Sequence, residues 1–117
     1  MKEKNKGQED QFLLDLQQVQ DEKSHPERVL FLSVVLQALL DATKPQAENE
    51  PPEEELARRS AQNWFFTSVG VTAQDFVDVC DLAGIEPQEM RSFAFKVVKS
   101  KEVRYVRKRI NTVLNNK

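Results

Sequence analysis

Apolar residues along the chain recur with the 3.6-residue period of α-helices, and no segment shows the sustained alternation typical of a strand. Residues 9–20 predict a short amphipathic helix whose apolar side carries Phe12, Leu13, Leu16 and Val19. The next helix, which runs to about Ala42, is apolar on most sides and is therefore expected at the centre of the core. The pattern predicts an all-α fold, organised as a small helical bundle.

Capping residues and prolines mark where the helices begin and end. Ser24 and Glu27 predict a capping box that starts the central helix, with Pro26 in its first turn. Residues 43–52 contain three prolines and no large apolar residue, which predicts an acidic linker. A helix then runs to about Ser68. Its expected buried face consists of Leu56, Ser60 or Ala61, Trp64 and Phe65.

These boundaries divide the chain into three parts. Residues 1–23 form a polar N-terminal segment that contains the short helix and begins with a flexible stretch. Residues 24–99 form the helical domain, which the linker interrupts. Residues 100–117 form a basic amphipathic helix. Its apolar face carries Val103, Val106, Ile110, Val113 and Leu114.

The segment from residue 73 to residue 99 has the spacing of a helix-turn-helix. Thr72, with Asp75 three residues later, predicts the cap of the first helix. Cys80 is a small residue at the position where two helices cross closely, and Gly84, four residues later, suits a left-handed helix end. The turn is completed by Ile85, which fills the corner, and Pro87, which opens the second helix. A helix-turn-helix presents its second helix to the major groove of DNA, whereas an ordinary corner between helices uses the same glycine chemistry.

The exposed face of the second helix carries side chains that suit DNA. The candidates for contact with base edges are Gln88, Arg91, Ser92 and Phe95. Lys96 and Lys99 are candidates for contact with phosphates. Glu86 and Glu89 count against the interpretation because carboxylates repel phosphates. Phe95 also fits an alternative in which it packs under the C-terminal segment or a second subunit.

Charge is distributed unevenly along the chain. From residue 96 onward there are eight Lys or Arg residues and one acid, so this part carries +7, whereas residues 1–95 carry −9. Such a split predicts an acidic body with a basic arm. Further phosphate candidates on the arm are Lys101, Arg104, Arg107 and Lys108. One alternative is a solvated terminal helix. Another is a helix that lies on a membrane surface, but the arm lacks the tryptophan that is typical of such helices.

The pattern ARRSAQNWFFTS…DFVDVCDLAGIEPQEMRSFA resembles the DNA-binding domain of transcriptional activators of alphaproteobacterial phages and gene-transfer agents. The resemblance covers roughly residues 27–99. Its matching positions include Trp64, Phe65, Phe76, Cys80 and Gly84. The resemblance implies a helix-turn-helix protein that binds double-stranded DNA and activates phage-like genes, with RNA polymerase or a partner regulator as protein partner.

The sequence offers little for catalysis. One histidine, one cysteine and three glycines provide no nucleophilic triad, metal-ligand pattern or phosphate loop, so neither an enzyme nor a cofactor is expected. The charged start and the lone cysteine predict a cytoplasmic protein. The longest apolar run, Val29 to Leu40, is too short to span a bilayer, so no membrane span is expected. The leading hypothesis is a DNA-binding transcriptional regulator, with a homodimer left open. The alternatives are an adaptor that docks on RNA polymerase or another regulator, and a phage DNA-packaging component.

Overall fold

A computed structural model describes residues 11–18 and 26–115 of the chain. Within these ranges every regular element is an α-helix, so the predicted all-α fold is confirmed. The elements are α1 (residues 11–18), α2 (Pro26–Ala42), α3 (Pro52–Phe66), α4 (Val71–Ala83), α5 (Pro87–Lys99) and α6 (Val103–Asn115). The predictions for Val19 and for the capping box at Ser24 fall outside the described residues.

Helix α2 is the central element, as its apolar pattern predicts, and it packs against α3, α4 and α6. Its fully buried residues are Leu32, Val35, Leu36 and Leu39. The prediction for α3 is partly wrong: Leu56 is 65% exposed, whereas Phe65 is completely buried. The reason is that α3 begins at Pro52 with its first turns on the surface, and only its C-terminal end enters the core.

The connection between α4 and α5 is a three-residue turn closed by Gly84. This residue has φ 77° and ψ 28°, which confirms the predicted left-handed conformation. The N–H of Ile85 donates to the carbonyl of Cys80 at 2.9 Å, and the N–H of Gly84 donates to the carbonyl of Asp81 at 3.1 Å. These two bonds form a Schellman motif, which stops α4 and fixes the direction of the chain into α5.

Substitution of Gly84 by valine is expected to lower the free energy of unfolding by about 1–2 kcal/mol or more, because a β-branched residue resists positive φ. A Cβ at this position would also lie 3.3 Å from Cδ of Arg28. Urea denaturation measures the effect. Gly84→Asn is the matched control and should lose less, because asparagine tolerates the left-handed region. Equal stability of the valine variant and the native protein would contradict this description of the turn.

The predicted cap of α4 at Thr72 is wrong. Helix α4 begins at Val71, and its N-cap is Gly70, with φ 90° and no side-chain cap. Asp75 does not complete a cap either, since its Oδ2 accepts a 2.7 Å hydrogen bond from Nε1 of Trp64. This bond ties the end of α3 to the first turns of α4, so the turn between them is held by a tertiary contact instead of a local one.

The C-terminal end of α2 is capped by side chains from elsewhere in the chain. Nε2 of Gln62 donates to the carbonyl of Ala42 at 2.9 Å. Nη1 of Arg107 donates to the carbonyl of Leu40 at 2.5 Å and to Oγ1 of Thr43 at 2.9 Å. The last carbonyls of a helix lack intrahelical partners and carry partial negative charge, so the guanidinium of Arg107 both satisfies and neutralises the end of α2.

Residues 43–51 form no helix, but they are held against α3. Arg58 donates through both terminal nitrogens to the carboxylate of Glu50, at 2.5 and 2.8 Å. These hydrogen bonds lower the pKa of Glu50 from its ordinary value. Lys44 also forms a 2.9 Å ion pair with Glu54. The linker is therefore fixed to the helix that follows it, and the charge of Glu50 is neutralised by Arg58.

Cys80 lies in the core beneath the turn, with no exposed surface. Burial and, to a smaller extent, the nearby Asp81 carboxylate raise the pKa of its thiol to about 12. A thiol in this state is not a nucleophile at neutral pH, because the thiolate is the reactive form.

Cys80→Leu is expected to destabilise the protein by about 1–3 kcal/mol, because extra volume in a packed crossing forces the two helices apart. Cys80→Ala, the matched control, should keep the fold with a smaller loss. Thermal unfolding followed by circular dichroism measures both. In the native protein, the thiol should react with a maleimide at pH 7 only after denaturation. Rapid labelling of the folded protein would contradict the packed position of Cys80.

Candidate nucleic-acid interface

Helix α5 turns one side to the core and the other to solvent. Met90, Phe93, Ala94 and Val97 are buried, whereas Gln88, Ser92, Lys96 and Lys99 are exposed. The structure therefore places four of the predicted DNA-contacting residues on the outside of the helix that follows the glycine turn. Gln88 lies in the first turn, and the two lysines occupy the last turn.

The start of α5 carries two acids, and one of them is structural. The carboxylate of Glu86 accepts from the backbone N–H of Glu89 at 2.8 Å and of Gln88 at 3.2 Å. Glu86 is therefore the N-cap of α5, and it occupies backbone donors that would otherwise be available to a phosphate. The two lysines of α5, Lys96 and Lys99, lie at its opposite end, in the last turn.

Helix α1 lies beside the exposed face of α5. The ring of Phe12 packs against that of Phe93, with 4.6 Å between centroids. The two helices border a shallow groove of about 500 Å³. Its rim includes Glu86, Gln88, Glu89, Ser92 and Lys96. Any partner that touches Gln88 and Ser92 from this side also passes Phe12, a contact that the pattern of apolar residues did not predict.

Arg91, predicted to lie free on the exposed face of α5, is engaged within the protein. Its Nε donates to the carbonyl of Phe65 at 2.7 Å, and its guanidinium carbon lies 4.8 Å from the ring centroid of Phe76. The first contact caps the end of α3, and the second is a cation–π interaction. Arg91 thus joins three helices, which gives it a structural role in place of the predicted free position.

Phe95 is half exposed, at 52%, and packs edge-on against Phe66 with 6.1 Å between ring centroids. The ammonium of Lys99 lies 5.1 Å from the centroid of the Phe95 ring. The ring therefore rests on the end of α3. About half of its surface remains available to a partner.

Helix α6 confirms the predicted amphipathic pattern, with Val106, Ile110 and Val113 buried. Lys101, Arg104 and Lys108 are exposed, whereas Arg107 is partly buried by its bonds to the end of α2. The four phosphate candidates of the arm thus separate into three that face solvent and one that holds the fold together.

Tyr105 is an exposed aromatic residue of the arm that the sequence analysis did not identify as a candidate for binding. The residue is 42% exposed, and its hydroxyl accepts a 3.0 Å hydrogen bond from Nη1 of Arg109. It lies at the edge of a second groove, of about 600 Å³, between the linker and α6. The available signal was composition, because this single tyrosine stands inside the run RYVRKR, where an aromatic ring is flanked by cations.

The two candidate surfaces lie toward opposite ends of α2. Arg28, in its first turn, covers Gly84 at the start of the α4–α5 connection. Leu40, in its last turn, accepts the hydrogen bond from Arg107 of α6. Twelve residues of helix separate these points by about 18 Å. The N-terminal end of α5 and the middle of α6 are therefore distinct surfaces, although the C-terminal end of α5 leads directly into α6.

Across residues 11–18 and 26–115, no three His, Cys, Asp or Glu side chains come together in a way that could hold a metal ion. In the same ranges, no helix combines the length and the apolar character that a bilayer crossing requires. Comparison with protein-family models, with curated proteins and with solved structures gives no match for this chain.

Proposed function

We propose that the protein binds double-stranded DNA through the exposed face of α5. The observation that carries the proposal is the glycine-closed turn, which ends α4 at Ala83, starts α5 at Pro87 and leaves the polar side of α5 in solvent. A short turn between two helices is the arrangement by which a helix-turn-helix presents its second helix to the major groove.

The side chains on this face suit separate tasks. Gln88 can pair with an adenine through both its amide donor and its acceptor, and Ser92 can donate to or accept from either base type. Lys96 and Lys99 supply positive charge for phosphates, which fixes position without reading sequence. A good bidentate contact discriminates against a wrong base by about 1–3 kcal/mol. Base preference is therefore expected to depend on Gln88, and general affinity on the two lysines.

The resemblance to activators of phage-like genes supports a finer proposal, namely that DNA binding serves transcriptional activation. Half-exposed Phe95 and the groove beside Phe12 then offer surfaces for a protein partner such as RNA polymerase or a second regulator.

The test begins by selecting bound fragments from a random duplex library, and continues with fluorescence anisotropy on a selected and a scrambled duplex. Gln88→Ala should weaken binding to the selected duplex by about 1–3 kcal/mol and leave the scrambled duplex nearly unchanged. Lys96→Ala should weaken both duplexes alike and lower the salt slope by about one. Gln46→Ala, at an exposed position in the linker, is the control and should change neither.

A protein-binding adaptor is the second candidate, and the groove beside α5 favours it. This groove combines Phe12 with the carboxylates of Glu86 and Glu89, and Lys96 is the one lysine among the described residues that line it. A peptide with basic and apolar side chains complements such a surface better than a phosphate backbone does. Weak duplex binding that does not vary with salt, together with no effect of Gln88→Ala or Lys96→Ala, would favour the adaptor.

A further inference from the structure

The groove between the linker and α6 forms a surface separate from α5. We call it the α6 groove and define it by Pro45, Arg104, Tyr105, Lys108 and Asn111. Its volume is about 600 Å³, and its wall on one side is the exposed face of α6. Arg107 also lines it, but the bonds of that residue to Leu40 and Thr43 fix it in place and keep α6 against the end of α2.

The α6 groove is strongly cationic. From Val103 to Asn115 the helix contains four Arg or Lys residues and no acid. Within the described part of the chain, neither Arg104 nor Lys108 has an ion-pair partner, although like charges four residues apart destabilise a helix. An anionic ligand would relieve this repulsion, so the charge pattern favours a polyanion as the partner.

Tyr105 adds an aromatic surface to the cations. Arg109 hydrogen-bonds its hydroxyl and places its guanidinium carbon 5.9 Å from the ring centroid, so the ring is held in one position at the surface. A tyrosine fixed in this way loses little conformational freedom when a ligand stacks on it. Aromatic rings beside a positively charged groove are typical of proteins that bind single-stranded nucleic acid.

The structure argues against the competing polyanions. A membrane-surface helix needs its apolar face for the lipid, but Val106, Ile110 and Val113 are buried in the protein core. Duplex DNA offers phosphates to Arg104 and Lys108, but its bases are stacked on each other and cannot stack on Tyr105. Polyanions without bases would use the cations and leave the ring without a role.

We propose that the α6 groove binds single-stranded nucleic acid, with an unpaired base stacked on Tyr105 and the adjoining phosphates held by Arg104 and Lys108. Asn111, one turn further along α6, can hydrogen-bond a base edge or a sugar. This site does not depend on duplex recognition by α5. Together, the two surfaces would let the protein hold a duplex and an adjacent unpaired strand.

The test measures the anisotropy of labelled oligo(dT) and oligo(U), each of roughly 16 nucleotides. Tyr105→Leu keeps an apolar side chain of similar bulk but removes the ring, and it should weaken binding by about tenfold or more. Tyr105→Phe should restore most of the affinity, because it keeps the ring and loses only the hydroxyl. Arg104→Ala and Lys108→Ala should each weaken binding and lower the salt slope by about 0.7. Thermal unfolding of each variant checks that the fold is intact.

Two controls distinguish base stacking on Tyr105 from simple charge attraction and from binding of the strand to α5. Heparin is a polyanion without bases, so Tyr105→Leu should leave its affinity unchanged while Arg104→Ala lowers it. Because Gln88 lies on α5 and not in the α6 groove, Gln88→Ala should leave the binding of both oligonucleotides unchanged.

Two results would overturn the proposal. If Tyr105→Leu and the native protein bound the oligonucleotides with equal affinity, the α6 groove would bind polyanions by charge alone, without base stacking. A loss with Gln88→Ala as large as that with Tyr105→Leu would mean that the strand lies on α5. Failure of duplex binding alone concerns the proposed function of α5 and not the α6 groove.

Discussion

Phe76→Ala is expected to lower the free energy of unfolding by about 3–5 kcal/mol, because it removes a large side chain from the centre of the core. Phe76 has no exposed surface. Its ring makes edge contacts with Trp64 and Phe65, at centroid distances of 5.1 and 5.7 Å, and lies beneath the guanidinium of Arg91. Truncation therefore leaves a cavity where α3, α4 and α5 meet.

Chemical denaturation with urea measures this loss, and Phe95→Ala is the matched control. Phe95 is a half-exposed phenylalanine on α5, and Phe66 is the one aromatic partner of its ring within the described residues. Its truncation should cost much less, since about half of its surface is in water already. Equal losses in the two variants would contradict the assignment of Phe76 to the centre of the aromatic cluster.

Arg91→Ala is expected to destabilise the protein by about 2–4 kcal/mol, because it removes a charged hydrogen bond and a cation–π contact together. The carbonyl of Phe65 would lose its donor at the end of α3, and the ring of Phe76 would lose its cover. Affinity for DNA, measured under conditions where the variant is folded, should change little. This outcome differs from that of a residue at a base edge, whose removal lowers affinity and leaves stability unchanged.

Arg91→Lys distinguishes the two contacts. Lysine keeps the charge but lacks the planar guanidinium, so it should recover only part of the lost stability. Urea denaturation of the three proteins, paired with anisotropy on a selected duplex, gives both readouts. If the Arg91→Ala variant were fully stable but no longer preferred the selected duplex, the structural role would be contradicted. Arg91 would then be a candidate for contact with base edges, as the sequence predicts.

Features set by local chemistry could be predicted from the sequence. The left-handed Gly84 is an example. A glycine that follows an amphipathic run commonly ends the helix in the left-handed conformation, because it has no side chain to oppose positive φ. The helical class, the central place of α2 and the basic face of α6 follow from periodicity in the same manner. The exposure of Gln88, Ser92 and the two lysines of α5 likewise follows from the helical period.

Features set by distant partners could not be predicted. Arg91 and Arg107 both lie on polar faces by period, yet their partners are 26 and 67 residues away along the chain. A long flexible side chain can reach across a helix boundary to a carbonyl, and periodicity contains no information on that reach. The prediction of a cap at Thr72 is wrong for a similar reason, because the carboxylate of Asp75 accepts a hydrogen bond from Trp64 of the preceding helix.

The capping of α2 by Arg107 has a consequence for the time course of synthesis. Because 67 residues separate Arg107 from Leu40, a ribosome working at roughly 5–20 residues per second makes the arginine about 3–13 s after the leucine. During that interval, the end of α2 lacks its guanidinium and the side of α2 that packs on α6 is uncovered. Ribosome-bound chains in which Ser100 has left the exit tunnel but α6 has not should therefore be cleaved near Leu40 by added protease faster than chains in which Asn115 has left it. We therefore expect the emergence of α6, and not that of the apolar helices before it, to set the moment at which the domain becomes resistant to degradation.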